Sequence, residues 1–342
     1  MSATGYRDSG VDIDEGERAV ELMREAVRRT FDANVLSDLG GFGGLYRASF
    51  PGVARPVLVA STDGVGTKLK VASMACDYST VGRDLVNHCV NDILVQGARP
   101  LFFMDYLACG RLDSGVAATM VEGLSSACVE NSCSLLGGET AEMPGFYSPG
   151  DYDLAGTIVG IVDEDRIIDG SGIRPGDLLL GLGSSGLHTN GYSLARRVLF
   201  EIAGLGLADR PGELRGESVG QALLAVHRSY LRVLAPVIDA GILKGLCHVT
   251  GGGIPGNLCR ILPEGCGAVI REGWPVPPVF TLIADRGGVP VEEMRRAFNM
   301  GIGMLAVVDR RDLPRAREML DAAGEVSFDA GEVFDGAGIL YE

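Results

Sequence analysis

Pro56-Val-Leu-Val-Ala-Ser-Thr62 runs directly into Asp63-Gly-Val-Gly-Thr-Lys68. A short apolar run closing on a glycine-rich turn reads as a buried strand that ends in a loop. At such a strand end a carboxylate can hold Mg²⁺, the glycines let backbone approach a phosphate, and a lysine can neutralise its charge. This is not a P-loop, because Thr67 precedes Lys68 instead of following it. An ordinary glycine turn fits the same residues, so the rest of the chain has to decide.

Outward from this stretch, strand and helix patterns alternate from about residue 14 to the end, which predicts a mixed α/β protein. Asp14 and Glu17 stand at capping-box spacing, with Val20, Met23 and Val27 on one face of the helix that follows. Helices are expected at residues 80–96 and 114–130, and strands at 101–107, 133–136 and 154–162. Asp169-Gly-Ser-Gly-Ile-Arg-Pro-Gly176 is turn-rich and aperiodic, and it divides the chain into domains 1–168 and 169–342. Beyond it, strands are expected at 177–183, 300–308 and 326–333, and helices at 191–202, 221–240 and 311–323.

Two domains suit 342 residues, and 46% hydrophobic residues are ample for two cores. The 50 glycines are about twice the roughly 7% average and fall in short clusters without a triplet period. A net charge of −15 repels polyphosphate backbones, so nucleic acid is not an expected partner. A nucleotide stays open, since backbone N–H groups and bound magnesium supply local positive potential. The eight cysteines include no C-x-x-C pair and read as reduced, mostly buried thiols. Neither a signal-peptide core at the start nor a membrane span is expected, which predicts a soluble cytoplasmic protein.

Five further segments could carry chemistry. Along residues 80–96, Val81, Leu85, Cys89 and Ile93 make an apolar stripe that Val86, Val90 and Leu94 widen, while Asp84, His88, Asn91 and Asp92 line the remaining face. A solvated face more often carries Lys, Glu or Gln, so this one reads as site-facing, with Asp92 a metal ligand and Asn91 its hydrogen-bonding neighbour. Gly137-Gly-Glu-Thr-Ala-Glu142 puts Glu139 at an expected strand end, although Thr140 and Glu142 would equally serve a helix N-cap. Gly40-Gly-Phe-Gly-Gly44 could close on a triphosphate. Ser184-Ser-Gly-Leu-His-Thr-Asn-Gly191 and His248-Val-Thr-Gly-Gly-Gly253 each open a helix with a histidine beside backbone N–H groups, a fitting anion cradle. His227 falls inside the amphipathic helix from Gln221 and receives no role.

In combination these segments resemble the phosphoribosylformylglycinamidine cyclo-ligase (AIR synthetase) family. Tyr6-Arg-Asp-Ser-Gly-Val-Asp-Ile13, Gly40-Gly-Phe-Gly43, Thr62-Asp-Gly-Val-Gly-Thr-Lys68 and Cys89-Val-Asn-Asp-Ile93 occur in the family's order. So do Gly137-Gly-Glu-Thr-Ala-Glu-Met-Pro144, the 184–192 and 248–253 segments and Phe298-Asn-Met-Gly-Ile-Gly303. The resemblance implies a two-domain AIR synthetase-like α/β fold with mixed sheets. Its N-terminal sheet would pair in a homodimer, and the active site would be a groove between domains. The implied reaction uses ATP to close formylglycinamidine ribonucleotide to 5-aminoimidazole ribonucleotide through a phosphorylated formyl oxygen.

The resemblance also implies residue roles. Asp63 and Asp92 would hold Mg²⁺; Lys68 and the glycine loop with Gly41 and Gly43 would steady the transferred group. Gly64, Gly66, Thr67, Asn91 and Glu139 would serve the nucleotide. His188, Asn190 and His248 with Gly251, Gly252 and Gly253 would contact the ribonucleotide, and Lys68, Asp92, His188 and His248 are the candidates for catalysis. His88 stands where the family usually carries an apolar residue and is set aside. Ile254-Pro-Gly-Asn-Leu-Cys-Arg260 keeps Asn257 and Arg260 but lacks a glutamate the family often shows there. Relatives are disfavoured on chemistry: residues 1–50 carry no cysteine for a selenophosphate synthetase, and Ile339-Leu-Tyr-Glu342 offers none for a hydrogenase-maturation dehydratase. Thiamine-monophosphate kinase would not need the His188 and His248 segments in this form. A non-catalytic nucleotide-binding subunit would be marked by loss of Asp63, Lys68 or Asp92, and all three are present.

Overall fold

The computed structural model describes residues 10–342, so residues 6–9 of the Tyr6 motif lie outside the described residues. The chain forms two compact units. One holds the chain up to Val90 together with Pro100–Ile161; the other holds Asn91–Arg99 and Val162–Glu342. The expected division lay at 168/169.

The first unit is built from α1 (Ile13–Arg28), β1 (Pro56–Gly64), α2 (Lys68–Ala75), most of α3 (Val81–Leu94), β2 (Arg99–Cys109), α4 (Ser114–Glu130), β3 (Ser134–Glu142) and β4 (Tyr152–Asp163). Its sheet runs β1-β4-β2-β3, with β2 and β3 parallel. A parallel pair needs a crossover, and α4 supplies it. Asp113 starts that helix by accepting from the N–H groups of Gly115 and Val116 at 2.9 and 3.1 Å. The cap of α1 is Asp12, which accepts from Glu15 N at 3.3 Å, and not Asp14. Glu142 fixes Asp12 from afar by accepting from its N–H at 2.7 Å. Met23 and Val27 are buried as expected, but Ala19 and Ala26 complete the buried face and Val20 is exposed.

The second unit contains β5 (Leu178–Gly183), α5 (Tyr192–Arg196), α6 (Val219–Leu223), α7 (Leu231–Asp239), β6 (Leu243–His248), α8 (Gly253–Leu258) and β7 (Cys266–Ile270). It continues with α9 (Pro278–Gly287), α10 (Val291–Ala297), β8 (Ile302–Val308), α11 (Leu313–Ala322), β9 (Ser327–Asp335) and β10 (Ile339–Tyr341). Six strands run β10-β7-β9-β5-β8-β6, antiparallel except for the parallel β10–β7 pair. Strand periodicity sorts the core into two layers. Leu178, Leu180 and Leu182 with Met304, Ala306 and Val308 pack beneath Leu234, Val237 and Leu320 of α7 and α11. Leu179, Leu305 and Val307 face the other way, towards Ile254, Leu258 and Trp274. Every residue of β8 is buried because both faces of the sheet are covered.

Three expected elements differ. The helix of 191–202 is α5 followed by a π-helical turn, Arg197–Ile202. The strand of 133–136 continues through both glycines to Glu142, because β2 pairs with it along that length. The single helix of 221–240 is two helices, with residues 224–230 non-helical between them. None of the eight cysteines, all among the described residues, forms a disulfide, and five are buried.

Candidate functional site

In the first unit, Asp63 sits next to the last residue of β1. Its Oδ1 accepts from Gly64 N at 2.6 Å and its Oδ2 meets His88 Nε2 at 2.7 Å. The Asp63 side chain keeps 41% exposure while the imidazole behind it is buried. His88, set aside on the resemblance, lies behind this carboxylate and holds it in place. Gly66 adopts φ +67°, which lets the chain turn from β1 into α2. Thr67 is the N-cap residue of α2 without a side-chain capping bond.

Lys68 does not lie in an open loop as expected. It opens α2, fully buried, and its Nζ pairs with Asp84 at 2.8 Å, itself fully buried. Burial pulls the ammonium pKa down, opposed by the Asp84 carboxylate. The polar face of α3 is not a solvated one, since Asp84, Asn87, His88 and Asn91 are all buried.

Glu139 lies within β3, opposite Tyr106, so the N-cap alternative for this segment falls. It lines a cavity of about 330 Å³ with Gly41, Gly43, Asp105 and Gly138. A wider cavity of about 860 Å³ adjoins Gly40, Gly41, Glu139 and the N-terminal part of α1. Neither is lined by Asp63 or Lys68. Asp105 is pushed up to about 7 by burial. A Cβ on Gly138 would lie 2.3 Å from Asp105 Oδ1, so the glycine is what lets that carboxyl stand there.

In the second unit, Asp92 is 26% exposed and its Oδ1 meets His248 Nδ1 at 2.8 Å. Asn91 is used differently from the expectation. It is fully buried, its Oδ1 accepts from Tyr230 N at 2.9 Å, and its Nδ2 donates to Arg228 O at 2.9 Å. These bonds satisfy the backbone of the break between α6 and α7, and they bring His227 inward. The His227 ring stacks on His188 at 3.9 Å, and its Nε2 lies 3.1 Å from His248 Nε2. His227, given no role from the sequence, thus lies between two residues that were given one.

The glycine turn after His248 is stapled by Asn257, whose Nδ2 donates to Gly253 O at 2.8 Å and Gly251 O at 3.2 Å. A Cβ on Gly251 would meet Asn190 Oδ1 at 3.2 Å, so the two expected ribonucleotide-binding segments adjoin. Gly252 and Gly253 carry φ of +97° and +61°. A Cβ on Gly253 would come 1.8 Å from Arg295 O. Gly253→Ala is expected to lower stability by about 2–3 kcal/mol, from backbone strain and forced displacement of α10. Chemical-denaturation midpoints check this, and an unchanged midpoint would mean that the turn yields freely. Asp92, His248, Thr250, Asn257 and Arg260 line a common cavity of about 440 Å³ within this unit.

Residues 51–162 match the family described as AIR synthase related protein, N-terminal domain, and residues 174–340 match its C-terminal domain. The chain is 51% identical to the phosphoribosylformylglycinamidine cyclo-ligase of Syntrophotalea carbinolica over 96% of this chain and 94% of that protein. It is 49% identical to the Anaeromyxobacter enzyme of the same name, over 99% and 98%. The chain belongs to the phosphoribosylformylglycinamidine cyclo-ligase family. Among solved structures it resembles thiamine-monophosphate kinase from Stenotrophomonas maltophilia, with a TM-score of 0.68 at 17% identity, covering 95% of this chain and 96% of that one. It also resembles E. coli HypE, with a TM-score of 0.68 at 18% identity, covering 95% and 93%. At these identities the likeness establishes the shared two-domain fold.

Beside the candidate site residues stand three that the sequence reading gave no role: His88, which it set aside, His227, and Asp105, which it did not single out. Asp105 left one signal, a lone carboxylate in the apolar strand Phe102-Phe-Met-Asp-Tyr106. His227 left none, because residues 224–230 contain neither glycine nor proline to announce the break.

Proposed function

We infer that this chain closes formylglycinamidine ribonucleotide to 5-aminoimidazole ribonucleotide at the expense of ATP, releasing ADP and phosphate. The observation that carries this is the 51% identity, nearly end to end, with a cyclo-ligase. The formyl oxygen attacks the γ-phosphorus and the bond to ADP breaks. A substrate nitrogen then adds to the activated carbon, and the C–O bond breaks to expel phosphate. Such chemistry needs positioning and charge stabilisation more than a covalent nucleophile.

The residue roles belong to the same proposal. Asp63 and Asp92 are oxygen donors of the kind Mg²⁺ prefers, each partly exposed and each hydrogen-bonded by a histidine, so both fit a metal-binding carboxylate. Magnesium bound there would offset charge on the phosphates. Gly41, Gly43 and Glu139 line a cavity wide enough for part of a nucleotide, and their placement supports a nucleotide role. Gly64, Gly66 and Thr67 would bring backbone N–H groups to it. His188, Asn190 and His248 with the turn 251–253 would orient the ribonucleotide. Lys68 enters as a positioning residue that ties α2 to α3 through Asp84, not as a phosphate contact.

A homodimer is part of this reading. Leu58 on β1 and Met104 and Tyr106 on β2 are exposed apolar side chains on sheet strands, a surface that a second copy would cover. The cytoplasm, where ATP and a phosphorylated intermediate are held, is the proposed location. Among the described residues no helix is long and apolar enough to cross a membrane.

The test is a mass-resolved turnover assay with purified protein, MgATP and formylglycinamidine ribonucleotide. ADP, phosphate and aminoimidazole ribonucleotide are expected in equal amounts. ADP without ring-closed product, or no turnover from protein that binds ATP, would overturn the substrate assignment.

A further inference from the structure

We propose that Asp105 selects the base of the bound nucleotide, its carboxyl accepting a hydrogen bond from the 6-amino group of adenine, so that a purine with that group is preferred to one without it. The inference rests on the nucleotide reading of the cavity of about 330 Å³ and names the part of the nucleotide that lies there. Side chains alternate between faces along β2. Met104 and Tyr106 are exposed on one face, while Asp105 shares the other with Phe103 and Leu107, both fully buried. A carboxyl on that face needs a hydrogen-bond partner. Among the described residues, no hydrogen bond from another residue reaches it. The side chain leans across β3, an end strand of its sheet, into the gap left by Gly138, whose Cβ would stand 2.3 Å from Oδ1 and 2.7 Å from Cγ. An apolar cavity of about 90 Å³, lined by Met23, Val27, Val121 and Leu135, also ends on this carboxyl. Nothing in the fold uses Asp105, and its surroundings make it costly to keep.

The lining of the larger cavity decides which part of a nucleotide belongs in it. No lysine, arginine or histidine is among its lining residues, and Asp105 and Glu139 bring negative charge, so a triphosphate is repelled there. A flat base suits it instead. Phe42, fully exposed, offers an aromatic face, Leu39 and Leu136 give apolar walls, and Gly137 and Gly138 leave a stretch of β3 without side chains. Polar recognition then falls to the carboxyl. An ionised carboxylate only accepts, and the amino group is what adenine donates. Burial holds Asp105 up at about 7, so its acid form is also present near neutrality. In that form one oxygen accepts from the amino group while the O–H donates to the neighbouring ring nitrogen N1.

The experiment measures equilibrium binding, with turnover beside it, for full-length protein and the magnesium complexes of ATP and of purine riboside 5′-triphosphate, which lacks only the amino group. The parent is expected to bind ATP about 10–100-fold more tightly, the scale of one hydrogen bond whose loss leaves a buried group unpaired. Asp105→Ala is expected to abolish that preference. Asp105→Asn is expected to keep it, because its amide accepts from the amino group and donates to N1. Urea midpoints of both variants should be no lower than the parent's, since each removes a carboxyl that has no partner. A parent that binds both nucleotides alike, or a preference unchanged in Asp105→Ala, would overturn the assignment. So would an equal loss in Asp105→Asn and Asp105→Ala, the mark of a charge or a metal ligand. A preference that follows Asp105 without ring-closed product would support the assignment while the cyclo-ligase reading fell.

Discussion

Lys68→Met is expected to lower folding stability by about 3–5 kcal/mol, the range seen when one member of a buried ion pair is removed. Lys68 and Asp84 have no exposed side-chain surface and lie 2.8 Å apart. Methionine fills the volume of the lysine stem, so packing is largely kept and the loss falls on Asp84, a buried carboxylate deprived of its ammonium. In the folded protein burial pulls the Lys68 pKa down more strongly than Asp84 pulls it up. Taking both charges out of water carries its own cost, so replacing both residues by apolar ones should recover most of the stability. Urea midpoints for Lys68→Met and for Lys68→Met with Asp84→Leu form the measurement. If the single variant unfolds like the parent and only kcat falls, Lys68 acts on the transferred phosphoryl group, as the family resemblance implied.

What the sequence disclosed follows the range of the forces involved. The α4 helix was legible to the residue because its cap, Asp113, and its apolar face lie within one local stretch. The alternating cores of β5 and β8 showed as apolar runs because both faces of the sheet are covered. Features set by distant partners did not show. Gly137 and Gly138 read as a loop, and only pairing with β2 draws them into a strand. Asp12 displaces Asp14 as the cap of α1 because Glu142, 130 positions away, holds its N–H. The break before α7 depends on Asn91, whose amide reaches the backbone of Arg228 and Tyr230. The same long reach sets the partners of His88 and His227, Asp63 and His248, which no local pattern discloses. Residue type and spacing thus located the segments of the site, while long-range hydrogen bonds decided what each side chain does there.

Asp92→Asn is expected to reduce kcat by about 10²–10³-fold or more, the scale of losing one preorganised electrostatic group. Because the side chain is 26% exposed, a neutral isostere should leave stability within about 1 kcal/mol of the parent. The asparagine oxygen can still accept from His248 Nδ1, so the histidine keeps its orientation. That separates two roles the carboxylate could play. A metal ligand loses its charge in Asp92→Asn, and the Mg²⁺ concentration for half-maximal rate should rise with the fall in kcat. A residue that merely orients His248 would be nearly intact in Asp92→Asn but lost in Asp92→Ala. Rates and magnesium dependence of the two variants, measured beside their denaturation midpoints, decide between these roles. Near-parental turnover in Asp92→Asn would remove Asp92 from the metal and leave it as the anchor of the His248 imidazole.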